Sequence, residues 1–213
     1  MSERLKWYSI KIGAIIFIVY IISLGFPDFI FSNFSLISSE AFAKPWMFVT
    51  HIFLHDGYLH LIYNLIALLL FGTILERTIG SRNFLLVFFI SGIVAGFATI
   101  FFYDVAVGAS GAIFGVMGTI AVLRPKMVIW VYMIPMYMMV AVCVWAAIDM
   151  FGLLYPYPGD RIAHAAHLFG MAYGIAYGLY LRNRYREPKK QGVKYEVVSN
   201  EELDEWERRY MMP

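Results

Sequence analysis

Residues 83–123, NFLLVFFISGIVAGFATIFFYDVAVGASGAIFGVMGTIAVL, contain two apolar runs and a single charged residue, Asp104. The first run, 83–103, is long enough to cross a membrane, because a helix of about 20 apolar residues spans a hydrocarbon core about 30 Å thick. The second run, 110–123, is shorter and begins inside the sequence Gly108-Ala109-Ser110-Gly111. This pattern predicts a membrane protein in which one short helix begins at a serine.

The rest of the chain is apolar as well. Of its 213 residues, 61% are hydrophobic and 15% are charged, and the mean hydropathy is +0.66, whereas a soluble domain carries about 25% charged residues. Six segments have the character of spans, near residues 7–26, 57–75, 83–103, 110–123, 127–153 and 161–181. We therefore expect an all-α fold, a polytopic bundle of six transmembrane helices whose short fourth helix carries the serine at its N-terminus.

Basic residues indicate the orientation of these spans. With the N-terminus in the cytoplasm, 15 of the 17 Lys and Arg residues lie on the cytoplasmic side, and Lys44 and Arg161 lie outside. The first apolar run is too long for the core of a cleaved signal peptide, so we interpret it as a retained span. The sequence predicts a membrane domain over residues 1–186, both termini in the cytoplasm, and a charged cytoplasmic tail over 187–213.

Composition also narrows the classes of partner. The sequence has no Lys- and Arg-rich cluster interleaved with aromatic residues in an exposed domain, so nucleic acid is not an expected partner. Cys143 is the one cysteine, which excludes an intrachain disulfide and a thiolate metal cluster. The lipid bilayer is the expected surrounding of most of the chain.

Polar side chains inside the predicted spans are costly and indicate function. These are His60 and Asn64 on the second span, Ser110 at the start of the fourth, and His164 and His167 on the sixth. The charged residues that end these spans on the cytoplasmic side are Arg124, Arg182 and Glu76. Counted from them at about 1.5 Å per residue, Ser110, His167 and His60 lie about 21, 22 and 24 Å away from that side. Three polar groups on three spans therefore reach nearly the same level, a few ångströms below the outer surface.

Their chemistry suggests covalent catalysis by a serine. A serine hydroxyl needs a base to take its proton, and histidine is the usual base near neutral pH. We predict Ser110 as the nucleophile and His167 as the base. His60 and Asn64 are four residues apart on one helix face, and both side chains can donate hydrogen bonds to an oxyanion.

No carboxylate is expected beside the base. Asp149 lies about 34 Å along the fifth span from Lys126, which places it near the outer surface. The prediction is therefore a Ser–His dyad and not a triad. Between the two histidines of the sixth span, His167 is preferred, because glycines three and seven residues later would let this span press against the fourth, whereas His164 lies about one turn nearer the outer surface.

The residues alone leave other interpretations open. A Gly-x-Ser-Gly sequence also occurs where serine only caps a helix or glycine allows close packing. The pairs His51/His55 and His164/His167 have the spacing of metal ligands, as in a membrane metalloenzyme, although the zinc-protease sequence His-Glu-x-x-His is absent. A transporter that uses the polar groups as a proton path is a third possibility, and a catalytically silent protein that binds transmembrane clients is a fourth.

Three motifs together resemble the rhomboid proteases, in the compact six-span form found in prokaryotes. They are, in chain order, His60-x-x-x-Asn64, Gly108-Ala109-Ser110-Gly111 and Ala166-His167-x-x-Gly170-x-x-x-Gly174. The resemblance runs from about residue 46 to residue 181. Phe114 matches an aromatic position that packs on the family's catalytic histidine, and Met47 departs from the family, which often has arginine there.

This resemblance implies an intramembrane serine endopeptidase that cleaves transmembrane segments of other membrane proteins near the outer face. It implies catalytic roles for Ser110 and His167 and oxyanion stabilisation by His60 and Asn64, with no metal or organic cofactor. It further implies that the loop over 153–159 caps the site, and that the protein lies in the cell membrane of a prokaryote.

Overall fold

A computed structural model describes residues 5–131, 133–185 and 199–211. The helices of these residues are α1 (Tyr8–Gly25), α2 (Pro27–Phe34), α3 (Met47–Thr50), α4 (Tyr58–Ala67), α5 (Thr73–Ile79), α6 (Ser81–Phe102), α7 (Ser110–Leu123), α8 (Met138–Leu154), α9 (His164–Tyr185) and α10 (Asn200–Tyr210). A 3₁₀ turn, His51–Phe53, follows α3, and a π-helical turn, Leu68–Gly72, joins α4 to α5. The strands are β1 (Leu36–Ile37), β2 (Val105–Ala106), β3 (Val128–Val131) and β4 (Ile134–Tyr137).

Three helical stretches are long and apolar enough to cross a membrane. They are Tyr8–Gly25, Tyr58–Ile79 and Ser81–Phe102, with mean hydropathies of 2.0, 1.9 and 2.5. Large apolar side chains such as Phe17, Ile18 and Phe101 are exposed on them, which suits a surface that faces lipid rather than water. The chain is therefore an integral membrane protein, and the mostly helical architecture agrees with the predicted fold class.

α7 lies at the centre of the molecule and packs against both α6 and α9, which also contact each other. Nearly all of its residues are buried, because its neighbours approach through glycines. A Cβ added to Gly170 would overlap the Gly111 carbonyl, and one added to Gly174 would overlap the Gly115 carbonyl. Small residues of this kind let helix backbones touch in a membrane. α7 and α9 are thus held in direct backbone contact, and this contact sets the distance between the side chains that they carry.

The predicted fifth span was too long at its N-terminal end. The sequence predicts this span over 127–153, but the helix begins at Met138, and Val128–Val131 and Ile134–Tyr137 pair as an antiparallel hairpin before it. Two physical reasons favour the hairpin. Valine and isoleucine prefer strands, and Pro135 lacks the N–H that a helix interior needs.

The segment between α1 and α4 is tied to the residues that precede α7. β1 pairs with β2 in the register Leu36↔Ala106 and Ile37↔Val105. The backbone N–H of Gly108 donates to the carbonyl of His51 at 2.9 Å. These contacts fix the turn that leads into α7, and they do so two to five residues before Ser110.

At the other end of the bundle, the buried carboxylate of Glu76 holds three helices together. It accepts hydrogen bonds from the backbone N–H groups of Tyr8 and Ser9, both at 2.9 Å, and from the Ser9 and Ser81 hydroxyls at 2.9 and 2.6 Å. The start of α1, the end of α5 and the start of α6 therefore meet at one side chain.

The C-terminal tail is described only from residue 199 to residue 211. There α10 begins with a capping box in which the Ser199 hydroxyl accepts from the Glu202 N–H, and the Glu202 carboxylate accepts from the Ser199 N–H. All residues of α10 are exposed. The remainder of the predicted tail, 187–198 and 212–213, lies outside the described residues.

Candidate active site

Ser110 is the first residue of α7. The turn before it depends on Gly108, whose φ of 122° is in a region that side chains with a Cβ rarely adopt. The space is also closed, because a Cβ on Gly108 would lie 2.7 Å from His60 Nε2. A glycine is therefore required on both counts, and it brings the serine to the start of the helix beside the second span.

The predicted nucleophile and the predicted base are in hydrogen-bond contact. Ser110 Oγ lies 2.8 Å from His167 Nε2, although the two residues are 57 positions apart in the sequence. The His167 ring stacks on Phe114, with ring centroids 4.2 Å apart and planes inclined by 12°. Phe114 is one turn after Ser110 on α7, so the helix that carries the serine also supports the imidazole.

A carboxylate lies beside the histidine, and the prediction that none would do so was wrong. Asp149 Oδ1 is 3.0 Å from His167 Nδ1, and Asp149 is buried, with 4% of its surface exposed. The error follows from the start of α8. Counted from Met138, Asp149 lies about 16 Å along the helix and not about 34 Å. The β-branched residues and the proline before Met138 were the signal that could have placed the carboxylate correctly.

His164 does not take the place of His167 at the serine. Its Nδ1 lies 2.7 Å from the same oxygen, Asp149 Oδ1, and its Nε2 lies 3.0 Å from Asp160 Oδ2. Both ring nitrogens thus face carboxylates. Asp160 belongs to the loop between α8 and α9, where its other oxygen accepts from the Ile162 N–H. That hydrogen bond is the main reason that the pKa of Asp160 lies below its usual range.

His60 and Asn64 lie on α4, and the His60 ring lies next to Gly108. The position that a Gly108 Cβ would take is 2.7 Å from His60 Nε2 and 3.9 Å from Ser110 Oγ, so these two side chains flank one point. His60 Nδ1 is 2.7 Å from Asp56 Oδ1, a partner that the sequence did not reveal. Asn64 Nδ2 donates to the His60 carbonyl at 2.8 Å. An asparagine amide has two N–H groups, so this contact leaves it a second donor.

A small cavity of about 20 Å³ adjoins the serine, which is room for about one water molecule. His51, Thr99, Gly108, Ser110 and Ala166 are among its lining residues. Burial lowers the pKa of His51 to about 4, so the ring is neutral near pH 7. Its Nδ1–H then donates to the Met47 carbonyl at 2.8 Å.

His55 is the second histidine of the candidate metal-ligand pair His51/His55. It is buried, and neither of its ring nitrogens has a hydrogen-bond partner among the described residues. Its ring packs edge-on against His60 at 4.9 Å. The described ranges contain no group of three or more His, Cys, Asp and Glu side chains arranged to hold a metal.

The sequence model of the Rhomboid domain matches residues 43–184, which is most of the chain and includes Ser110, Asp149 and His167. The chain belongs to the rhomboid family.

Named relatives of this rhomboid protein occur in bacteria and in eukaryotes. It is 26% identical to rhomboid protease GlpG of Haemophilus influenzae over 140 residues, which cover 65% of this chain and 71% of that protein. It is 43% identical to rhomboid protease GluP of Bacillus subtilis over 76 residues, 35% of this chain and 15% of that protein. It is 28% identical to mitochondrial rhomboid protein 1 of Saccharomyces cerevisiae over 177 residues, 78% of this chain and 47% of that protein. The chain thus spans less than half the length of two of these three relatives.

Proposed function

We propose that this rhomboid protein is an intramembrane serine endopeptidase that cleaves transmembrane segments of other membrane proteins near the outer face. The observation that carries the proposal is the 2.8 Å contact between Ser110 Oγ and His167 Nε2. Two relatives are named as rhomboid proteases, and the membrane-embedded fold suits a substrate that lies in the same bilayer.

The chemistry follows from this contact. His167 Nε2 accepts the hydroxyl proton while Ser110 Oγ attacks the carbonyl carbon of the scissile bond. The imidazolium then protonates the leaving amine, and an acyl-enzyme ester forms on Ser110. Water attacks the ester with the same histidine as base, which releases the new carboxyl end and restores the serine.

The negative oxygen of the tetrahedral intermediate needs hydrogen-bond donors. The N-terminus of α7 supplies free backbone N–H groups and the positive end of the helix dipole at Ser110. His60 Nε2 faces the same side of Gly108 as the serine hydroxyl, and the Asn64 amide has its second N–H. We assign oxyanion stabilisation to these groups, with Gly108, Gly111, Gly170 and Gly174 in supporting roles that permit the close backbone approach.

The proposed arrangement in the membrane is a six-span domain over residues 1–186, followed by a cytoplasmic tail over 187–213. α1, the continuous stretch Tyr58–Ile79, α6, α7, α8 and α9 are the six spans. The distribution of Lys and Arg supports two cytoplasmic termini. We place the protein in the cell membrane of a prokaryote, with transmembrane proteins as substrates and no metal or organic cofactor.

The test is cleavage of a generic single-pass membrane protein in liposomes, together with labelling by a fluorophosphonate probe. We expect the wild type to cleave and to label, and Ser110→Ala and His167→Ala to lose cleavage by at least about 10³-fold while unfolding at the same temperature. Ser91→Ala is the matched control, because Ser91 is a buried serine on α6 whose hydroxyl has no hydrogen-bond partner among the described residues; it should retain activity.

The opposite outcomes identify the alternatives. A folded wild type that neither cleaves nor labels would indicate a silent binder of transmembrane clients. Transport of protons in liposomes that survives Ser110→Ala would indicate a transporter. A stoichiometric metal in the purified protein that is lost on His164→Ala would indicate a metalloenzyme.

A further inference from the structure

A single carboxylate oxygen contacts two histidines in the interior of the protein. Asp149 Oδ1 is 3.0 Å from His167 Nδ1 and 2.7 Å from His164 Nδ1. Asp149 Oδ2 is buried and has no hydrogen-bond partner in the described part of the chain. One oxygen therefore accepts from both rings, and the position of each ring depends on the same side chain of α8.

The hydrogen-bond inventory fixes where the protons lie. An ionised carboxylate only accepts, so the nitrogen that faces it carries a proton. His167 thus has its proton on Nδ1, which leaves the lone pair of Nε2 directed at the Ser110 hydroxyl, as a general base requires. His164 faces Asp149 through one nitrogen and Asp160 through the other, so both of its nitrogens are protonated and the ring is an imidazolium between two carboxylates.

We propose that Asp149 is a positioning residue for the base His167, and that the bridge from His164 to Asp160 holds Asp149 in place. The inference rests on the proposed peptidase function. Asp149 selects the tautomer of His167 that can accept from Ser110, while Phe114 sets the plane of the ring. Asp149 also faces the imidazolium that forms on His167 when the serine proton is transferred, and an anion at this distance stabilises it.

The bridge also links the loop between α8 and α9 to the base. Asp160 lies in that loop, His164 begins α9, and Asp149 lies on α8, so three elements meet at the two carboxylates. Tyr103, at the end of α6, is the remaining titratable group nearby, and its hydroxyl accepts from the Ala165 N–H at 3.1 Å.

The test is Asp149→Asn, which keeps the shape of the side chain and removes its charge. We expect kcat for cleavage to fall by about 10² to 10⁴-fold, KM to change by less than about threefold, and the rate constant of fluorophosphonate labelling to fall in parallel with kcat. Asp160→Asn removes the negative charge at the far end of the bridge and leaves Asp149 in contact with His167, so its loss should be smaller, about tenfold or less. Asp104→Asn removes an exposed carboxylate from the loop before α7 and serves as the control with wild-type rates.

A double-variant comparison separates positioning from a merely structural role. In the His167→Ala background, Asp149→Asn should cause no further loss of the residual rate, because the base on which it acts is absent. If Asp149→Asn folds poorly, Asp149→Ser is measured in the same way, since it also removes the anion and leaves a smaller polar group.

Several outcomes would overturn the inference. A folded Asp149→Asn or Asp149→Ser protein with kcat within threefold of the wild type would do so, and so would losses that simply multiply in the double variant. In these cases the labelled, active wild type would leave the peptidase function intact. Failure of the wild type itself to cleave and to label would overturn the proposed function and this inference together.

Discussion

His167 has a different partner at each ring nitrogen, Ser110 at Nε2 and Asp149 at Nδ1. The sequence predicted the first contact, because both residues lie in recognisable motifs and at similar heights in their spans. It missed the second, because the height of Asp149 depends on where α8 begins, and a helix that is counted from the wrong residue carries the error along its whole length. A contact between distant elements can therefore be predicted from sequence only as accurately as the residues at which those elements begin and end.

The buried side chain of His55 should make the stability of the folded protein depend on pH. Burial lowers the pKa of His55 from 6.5 to about 4, and the pKa of His51 is lowered equally. Below pH 6.5 the unfolded chain binds a proton at each of these two histidines, whereas the folded protein binds these protons only near pH 4. The free energy of unfolding is therefore highest above pH 6.5. It falls by about 3 kcal/mol for each histidine as the pH drops toward 4.

Thermal unfolding of the protein in detergent between pH 7.5 and pH 4 measures this loss. His55→Gln should flatten the dependence by about half, because it removes one of the two groups. An unchanged slope in this variant would mean that His55 is already protonated in the folded protein or is accessible to water.

Among the elements, the contact between α7 and α9 determines the site. The glycines of the two helices were recognisable in the sequence as small residues at helical spacing, and their packing role was expected. The hairpin of β3 and β4 was not expected, because an apolar run of this length has no periodicity that distinguishes a strand pair from the start of a span. The hairpin shortens α8 and so moves Asp149 to the level of His167.

Gly174→Ala tests the α7–α9 contact. The added methyl group would overlap the Gly115 carbonyl, and the helices would have to separate, which costs about 1–3 kcal/mol. We expect a lower unfolding temperature and a loss of cleavage at temperatures where the variant is still folded. Gly25→Ala is the control, since nothing lies within 4 Å of the position of its Cβ. Wild-type stability and activity in Gly174→Ala would show that the helices are not packed this closely.

For the molecule as a whole, Glu76 connects the first span to the rest of the bundle. Its carboxylate accepts four hydrogen bonds from Tyr8, Ser9 and Ser81. The sequence placed Glu76 at the cytoplasmic boundary, but it gave no indication of these partners, which lie up to 68 residues away. The membrane character and the three spans with high hydropathy were predictable because the bilayer imposes a minimum length and composition on each.

Glu76→Gln should therefore loosen the bundle without touching the site. The NH₂ group of a glutamine cannot accept, so a backbone N–H of Tyr8 or Ser9 loses its acceptor while the facing serine hydroxyl can turn to accept instead, at a cost of about 1–3 kcal/mol. We expect a lower unfolding temperature, with the cleavage rate of the folded protein preserved. Glu40→Gln is the control, because the Glu40–Lys44 pair is partly exposed and pairs of this kind stabilise little. Equal unfolding temperatures in the two variants would argue against the role of Glu76.

The backbone contact between α7 and α9 has a consequence for the protein in different lipids. This contact is made of carbonyl oxygens and glycine Cα atoms, with no flexible side chain between them, so the separation of the two helices is set by van der Waals contact of their backbones. When a thinner or thicker bilayer changes the tilt of the outer helices, the hydroxyl and the imidazole should keep their spacing. Differences in rate between membranes would then report how substrates reach the serine, and the bond-breaking step itself would run at one intrinsic speed.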